Sequence, residues 1–293
     1  MCYIYPKIEI PNYLTGNSVM YLDIVSRYPE TPSKSPPLLF LHGSFTDARV
    51  WDEHFLPYFA QHGYETHAFS LRGHGRSEGR QHLHTWRLAD YVADLAQVTA
   101  TLSQPPVLIG HSMGGMVAQK YLETAPALAG VVLMASVPPQ GLLSSNLHMA
   151  MRHPFLFQQM LLFSLLGPSY GSIDMMRRLL FSPDMPAAKL HEFFGHIQAE
   201  SQVVSMDMMG LNPLQLKPGQ VKIPLLVLGA QRDVFVSPPL IRETARFYQA
   251  DHHIFPNMAH AMMLEANWQD AAAYLRGWIE RAGIRPRPET AAA

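Results

Sequence analysis

The chain has 293 residues, 48% of them apolar, with 22 Lys+Arg against 23 Asp+Glu and a formal net charge of -1. That length suits one large domain, or one core with an inserted subdomain. With no long charge run, nothing in the overall charge favours nucleic acid or an anionic membrane as a partner. A single cysteine, Cys2, leaves no internal disulfide and no thiolate metal site, and points to a reducing compartment.

The start "MCYIYPKIEIPNY" lacks the basic opening and continuous apolar stretch of a signal peptide. No window of 18 residues is apolar without polar interruption, so no stable membrane span is expected, and the chain reads as cytoplasmic. "VMYLDIVSRY" alternates as an early strand. "PPLLFLHG" is a compact apolar run ending in glycine, the pattern of a strand buried on both faces. "YETHAFSLRGHG" is a strand running into a glycine loop, and "LADYVADLAQVTATL" spaces its apolar residues as an amphipathic helix. "PPVLIG", "AGVVLMAS", "IPLLVLGA" and "HHIFPN" follow as strands, with helical patterns between them. Such βα repetition predicts an α/β fold with a mostly parallel central sheet flanked by helices. The rhythm breaks over residues 138–217, which carry no strand signal and hold nine of the 17 methionines. We read these residues as a helical cap inserted into a core formed by residues 1–137 and 218–293. The tail "IRPRPETAAA" is expected to fray.

Gly110-His111-Ser112-Met113-Gly114 fits G-x-S-x-G, with a strand pattern before it and a helix pattern after it. A tight strand-to-helix turn strains the serine backbone, and nearby glycines remove side chains that would collide there. Ser112 is then presented as a nucleophile at the carboxyl end of the sheet, beside a helix N-terminus that favours negative charge. Serine needs a base, and the base an orienting acid. His260 follows the last strand pattern, and Asp233 lies just beyond "PLLVLGA", giving the order Ser…Asp…His. Asp251 and Asp207 are weaker choices; Asp251 opens a strand and so belongs to the opposite end of the sheet. The backbone N–H of Met113 and one from Ser44, or alternatively Phe45, are expected to stabilise an oxyanion. His42 is expected to brace that loop rather than act as base.

The segments "LHGS" (41–44), "RGHGRSEG" (72–79), "GHSMGG" (110–115), "GAQRDVFVSP" (229–238) and "NMAHAMMLE" (257–265) resemble the α/β-hydrolase superfamily. The second and third look like those of monoacylglycerol lipases, lysophospholipases and related carboxylesterases. The residue after the base, often Asp in similar sequences, is Ala261 here, outside the triad. The resemblance implies the α/β-hydrolase fold with a cap, and a cofactor-free serine hydrolase acting on a small-molecule carboxylic ester of medium-chain or lipid-like acyl group. Carbon–carbon hydrolases, perhydrolases and thioesterases share the triad and stay open, as does a non-catalytic ligand-binding descendant. Dehalogenases and epoxide hydrolases use aspartate as nucleophile, which Ser112 argues against.

Phe45, His111, Met160, Phe163, Phe193, Met209, Val234 and Ala261 are expected around the substrate, with Phe155, Leu161 and Leu166 among further apolar walls. No metal is expected: the histidines of "HLH" (82–84) and "DHH" (251–253) lack matching ligands and read as surface groups. "GHGRSEG" lacks the G-K-[ST] of a phosphate loop. The run "HPFLFQQMLLFSLLG" (153–167) reads as a cap helix, with a lipid-facing helix as the alternative. A monomer or homodimer is expected.

Overall fold

Seven strands form one sheet: β1 (Ile24–Arg27), β2 (Leu38–Leu41), β3 (Thr66–Phe69), β4 (Val107–His111), β5 (Gly130–Met134), β6 (Leu225–Ala230) and β7 (Asp251–Phe255). Their order is β1-β3-β2-β4-β5-β6-β7. Only β1 runs antiparallel, against β3; every other pairing is parallel. This is a computed structural model, and it describes residues 20–31 and 35–284. Cys2, the N-terminal stretch and all but the first residue of the tail lie outside the described residues.

The short apolar runs become strands because both their faces are covered. Leu38, Phe40, Val107, Ile109, Val132, Met134, Leu226 and Leu228 point into one core layer. Their alternates Leu39, Leu41, Leu108, Val131, Leu133, Leu225 and Val227 point into the other. The two-residue period of a strand thus divides one continuous hydrophobic run between two layers.

The helices are α1 (Arg49–Asp52), α2 (Phe55–Gln61), α3 (Leu88–Thr99), α4 (Met113–Leu122), α5 (Leu143–Arg152), α6 (Pro154–Leu166), α7 (Ile173–Leu180), α8 (Ala187–Phe194), α9 (Gln202–Met206), α10 (Pro238–Tyr248) and α11 (Trp268–Arg281). Trp51, Phe55, Phe59, Leu275 and Trp278 place α1, α2 and α11 on the first face. Leu88, Tyr91, Met113, Val117, Ile241 and Tyr248 place α3, α4 and α10 on the second. The result is an α/β-hydrolase fold of three layers.

Helices α5 to α9 all fall between β5 and β6, with no strand among the described residues of that stretch. Of these, α5, α6 and α7 bury a small separate apolar cluster, Met149, Leu156, Phe163, Met175, Met176 and Leu179, whereas Leu190 of α8 and Val204 of α9 join the two sheet layers, one in each. No helix among the described residues is long and apolar enough to cross a membrane.

Candidate active site

The parallel strands end on one rim, and the loops that leave β2, β4, β6 and β7 there carry residues 42–47, Ser112, Asp233 and His260. Ser112 sits between β4 and α4 at φ 52, ψ -115, a conformation that L residues rarely adopt. Its own backbone is tied down. Its N–H donates to the Met134 carbonyl at 3.1 Å, and its carbonyl accepts from Gly115 at 3.0 Å and from Val137 at 3.1 Å. The turn requires glycine at 114: a Cβ there would lie 2.5 Å from the His42 carbonyl oxygen. Only a bare Cα lets the start of α4 seat against the end of β2.

The Ser112 Oγ is 2.9 Å from His260 Nε2. His260 Nδ1 lies 2.8 Å from Asp233 Oδ2. The carboxylate accepts only, so His260 carries its proton on Nδ1 and offers a bare Nε2 to the serine hydroxyl. Asp233 is fixed in turn, its Oδ1 accepting the N–H groups of Phe235 and Val236 at 2.8 and 2.9 Å. All three sequence-predicted residues therefore meet. The two weaker acid choices lie elsewhere. Asp251 begins β7 and accepts the Trp278 indole N–H at 3.3 Å. Asp207 accepts the Leu88 N–H at the start of α3 at 3.1 Å.

His42 braces the loop after β2 through a defined tautomer. Its Nδ1–H donates to the Gly43 carbonyl at 2.8 Å, and its Nε2 accepts the Leu71 N–H at 3.0 Å. Burial, with the neighbouring His74 charge, lowers its pKa to about 4. His111, the variable residue of the motif, donates from Nε2 to the His260 carbonyl at 2.9 Å. Burial, with His260 beside it, lowers the His111 pKa to about 3. Both rings are neutral near pH 7, and His111 supports the His260 loop from below rather than lining a substrate path.

The loop bearing Ser44 and Phe45 is held from the far side by residues 198–201, a connection the sequence patterns did not disclose. The Gln198 N–H donates to the Phe45 carbonyl at 3.0 Å, and the Phe45 N–H reaches Glu200 Oε2 at 3.4 Å. Gln198 also donates to Asp47 Oδ2 at 2.7 Å. Glu200 is buried and accepts from the Tyr91 hydroxyl at 2.8 Å and the Ser201 N–H at 2.7 Å. His74 Nε2 lies 3.3 Å from its Oε2. Burial opposes charge on both partners, yet their mutual attraction prevails, holding His74 above and Glu200 below the ordinary range. Phe45 itself has φ 64. The Phe45 amide is directed at Glu200, whereas neither the Ser44 nor the Met113 N–H has an acceptor among the described residues.

Glu265 was also missed. It is buried and accepts from Ser182 N and Oγ at 2.7 and 2.8 Å and from Ala259 N at 2.9 Å. It thereby ties the end of α7 to the residue preceding His260. Glu265 carried one sequence signal, a lone acidic residue after the apolar run "AMML", whereas Glu200, within the polar stretch "HIQAESQ", carried none.

Of the expected apolar walls, Phe45, Met160, Phe163 and Val234 share the cluster of α5 to α7, joined by Phe235. The Phe45 and Phe163 rings lie 4.8 Å apart, and Phe235 lies 4.9 Å from the His260 ring. Phe193 instead packs on Phe181, in the layer of α1, α2 and α11. Ala261 is buried in that same layer, its N–H on the Leu180 carbonyl at 2.9 Å. Met209 lies on a π turn, Asp207–Leu211, and receives the Asn146 amide on its sulfur. Phe155, Leu161 and Leu166 point outward, at 65%, 44% and 53% exposure, because α6 turns only one of its apolar faces inward. The histidines at 82 and 84 are exposed, and His253 stacks on Tyr274. A cleft of about 270 Å³ beside the loop after β2 is lined by charged groups already paired, Arg49 with Asp47 and Lys189 with Glu53.

The chain matches known proteins. The model of the alpha/beta hydrolase family covers residues 38–274. A non-heme chloroperoxidase of Streptomyces lividans is 38% identical over 111 residues, 37% of this chain and 39% of that protein. A bifunctional esterase/perhydrolase of Acinetobacter calcoaceticus is 34% identical over 111 residues, again 37% of this chain and 39% of that protein. The chain thus spans about two fifths of the length of these curated relatives. In structure, an esterase from Exiguobacterium antarcticum superposes with a TM-score of 0.70 at 15% identity, covering 89% of this chain and 96% of that one. The chain belongs to the alpha/beta hydrolase family.

Proposed function

We propose that the chain is a serine hydrolase that cleaves a neutral carboxylic ester by way of an acyl-enzyme. The hydrogen-bonded series Ser112–His260–Asp233, at 2.9 and 2.8 Å, supports this reading above all. Ser112 Oγ attacks the ester carbonyl while His260 Nε2 takes the hydroxyl proton. Asp233 keeps the imidazole in the required tautomer and stabilises the cation that forms. The developing oxyanion accepts from the amides of Met113 and Ser44, each fixed donor contributing about 3–4 kcal/mol. His260 returns the proton to the departing alcohol. It then activates water, which releases the acid. No step calls for a metal or cofactor. Residues 138–217 act as a cap, and their apolar cluster, continuous with Phe45 and Phe235, is the natural place for an acyl chain.

A fluorophosphonate probe tests the reading directly. It should attach to Ser112, as located by peptide mass spectrometry, and fail to attach to Ser112→Ala. A folded chain that hydrolyses no ester and takes no probe would be a ligand-binding protein instead.

Perhydrolysis is a second reading, favoured by the similarity to the esterase/perhydrolase and the chloroperoxidase. There hydrogen peroxide replaces water on the acyl-enzyme and a peracid leaves. Peracid formed from ester and peroxide, and absent in Ser112→Ala, measures its share. Thioesters and carbon–carbon substrates would meet the same residues and belong in the same substrate panel.

A further inference from the structure

We propose that the outer face of α5, α6 and the adjoining residues 206–211 docks on a lipid surface carrying anionic headgroups. On α5, Leu143, Leu147 and Met151 follow at four-residue spacing and are all mostly exposed, so they form one stripe along the helix. On α6, Phe155, Leu162 and Leu165 are exposed in the same way. The Asn146 contact with Met209 sets residues 206–211 beside α5, and the Gln202 amide on the Leu165 carbonyl sets α9 beside α6. Leu211, 72% exposed, extends the same apolar surface. A contiguous apolar face of this kind on a water-facing segment marks a docking surface.

Charge selects the occupant. Residues 124–173 contain no Asp or Glu, and Arg152, exposed at the α5–α6 junction, is their one Lys or Arg side chain. Residues 141–181 hold three arginines, Arg152, Arg177 and Arg178, and one carboxylate, Asp174, which Arg177 already engages at 2.8 Å. Asp207, in the adjoining turn, is buried and faces Arg87 at 3.4 Å, so α5 and α6 carry an exposed Arg152 and no carboxylate, and an apolar face of that charge complements an anionic lipid surface. The near-neutral charge of the whole chain concealed this, because the compensating carboxylates lie in other parts of the sequence. At 13 residues α6 is far too short to span a bilayer and would lie in its plane. Its inner face, Leu156 and Phe163, packs with Phe45 in the cluster next to His260. The helix that would touch lipid is therefore the one that encloses the proposed acyl site. In so far as the ester reading holds, the substrate class is a lipid ester drawn from that surface.

Ser112→Ala protein, which leaves vesicle lipid intact, is sedimented with vesicles of phosphatidylcholine alone and of phosphatidylcholine mixed with phosphatidylglycerol. It should bind the mixed vesicles about tenfold more tightly. Adding Leu147→Glu and Leu162→Glu should weaken that binding more than about tenfold, with an unchanged circular dichroism spectrum. In the chain with Ser112 intact, the same pair should leave hydrolysis of soluble p-nitrophenyl acetate within about twofold. Should the leucine pair fail to fold, Arg152→Glu with Arg178→Glu reads the electrostatic part alone. No binding to either vesicle overturns the proposal. So does a concentration-dependent dimer that Leu147→Glu dissolves, since a second copy of the chain would then cover this face. Failure of the esterase reading would show separately, as the lack of a fluorophosphonate adduct on Ser112, and would leave vesicle binding unchanged.

Discussion

The buried carboxylate of Glu200 faces the backbone N–H of Phe45 at 3.4 Å, from a position 155 residues further along the chain. Together with the Gln198 contact to the Phe45 carbonyl, it holds a loop whose φ of 64 would otherwise relax. The next amide back, that of Ser44, is then set in place. Glu200→Gln keeps the shape but loses the charge that holds Phe45 and pairs with His74. We expect kcat for ester hydrolysis to fall about ten- to hundredfold with KM nearly unchanged, because the loss falls on the transition state. Glu200→Asp should recover part of it. Equal losses in thermal stability and none in kcat would assign Glu200 to folding alone.

Ser112→Ala should lower ester hydrolysis by on the order of 10⁴-fold or more while leaving the melting temperature near that of the parent. Restoring a small side chain at this strained position adds no bulk, so the fold should hold. Activity within about tenfold of the parent, in a folded variant, rules out Ser112 as nucleophile.

Asp233→Asn should cost roughly 10⁴-fold in kcat, since an amide cannot hold His260 in the tautomer that offers Nε2 to Ser112. Asp251→Asn should cost almost nothing, because Asp251 serves the Trp278 indole at the other end of the sheet. Paired pH–rate profiles of the two variants make the comparison, and the reverse ranking would move the acid.

That Ser112, Asp233 and His260 come together could be read from the sequence because each sits in a short segment whose local pattern fixes its place. A strand end determines where Ser112, Asp233 and His260 emerge, and all three strands are apolar runs that only a parallel sheet buries on both faces. The walls of the site could not be read so. Whether Phe163 or Leu162 faces Ser112 depends on how α6 rolls, and a helix apolar on every side carries no periodic signal to say. Glu200 and Glu265 escaped for another reason. Glu200 meets the Phe45 N–H 155 residues back and Glu265 the Ser182 N–H 83 residues back, and backbone groups leave no trace in a sequence.

Acid should destabilise the chain through His42 and His111. Their folded values, about 4 and about 3, lie below the ordinary 6.5. Between pH 6.5 and those values the unfolded chain binds more protons, so stability rises with pH there. The stabilisation is complete above pH 6.5 and is lost as pH falls through 4 and then 3. For His42 alone the full loss is on the order of 3 kcal/mol. His74, held above its ordinary value, acts in the opposite sense: its contribution is complete below pH 6.5 and fades as pH rises through its folded value. Nitrogen NMR of the imidazoles at pH 5.5 should find His42 and His111 neutral. Either ring titrating near 6.5 would contradict the buried hydrogen bonds assigned to it.

The acyl chain-length profile is the sharpest test of the site's shape. Phe45, Met160, Phe163, Val234 and Phe235 form a continuous apolar surface leading from the His260 ring into the cluster of α5 to α7. Each methylene buried there contributes up to about 0.8 kcal/mol. Methionines 160, 175 and 176 in this cluster can re-pack around chains of different length. Phe163 rests on Phe45 at 4.8 Å, so a long chain must part that pair, which sets an upper limit on the gain. For esters of one alcohol, kcat/KM should therefore rise from acetate to octanoate and then level off. Phe163→Ala should extend the rise to longer chains, since it removes the ring that closes the path, while acetate hydrolysis changes little. A profile that is flat or falls from acetate onward would mean that the cluster stays shut, and the chain would then be a small-ester or carbon–carbon hydrolase.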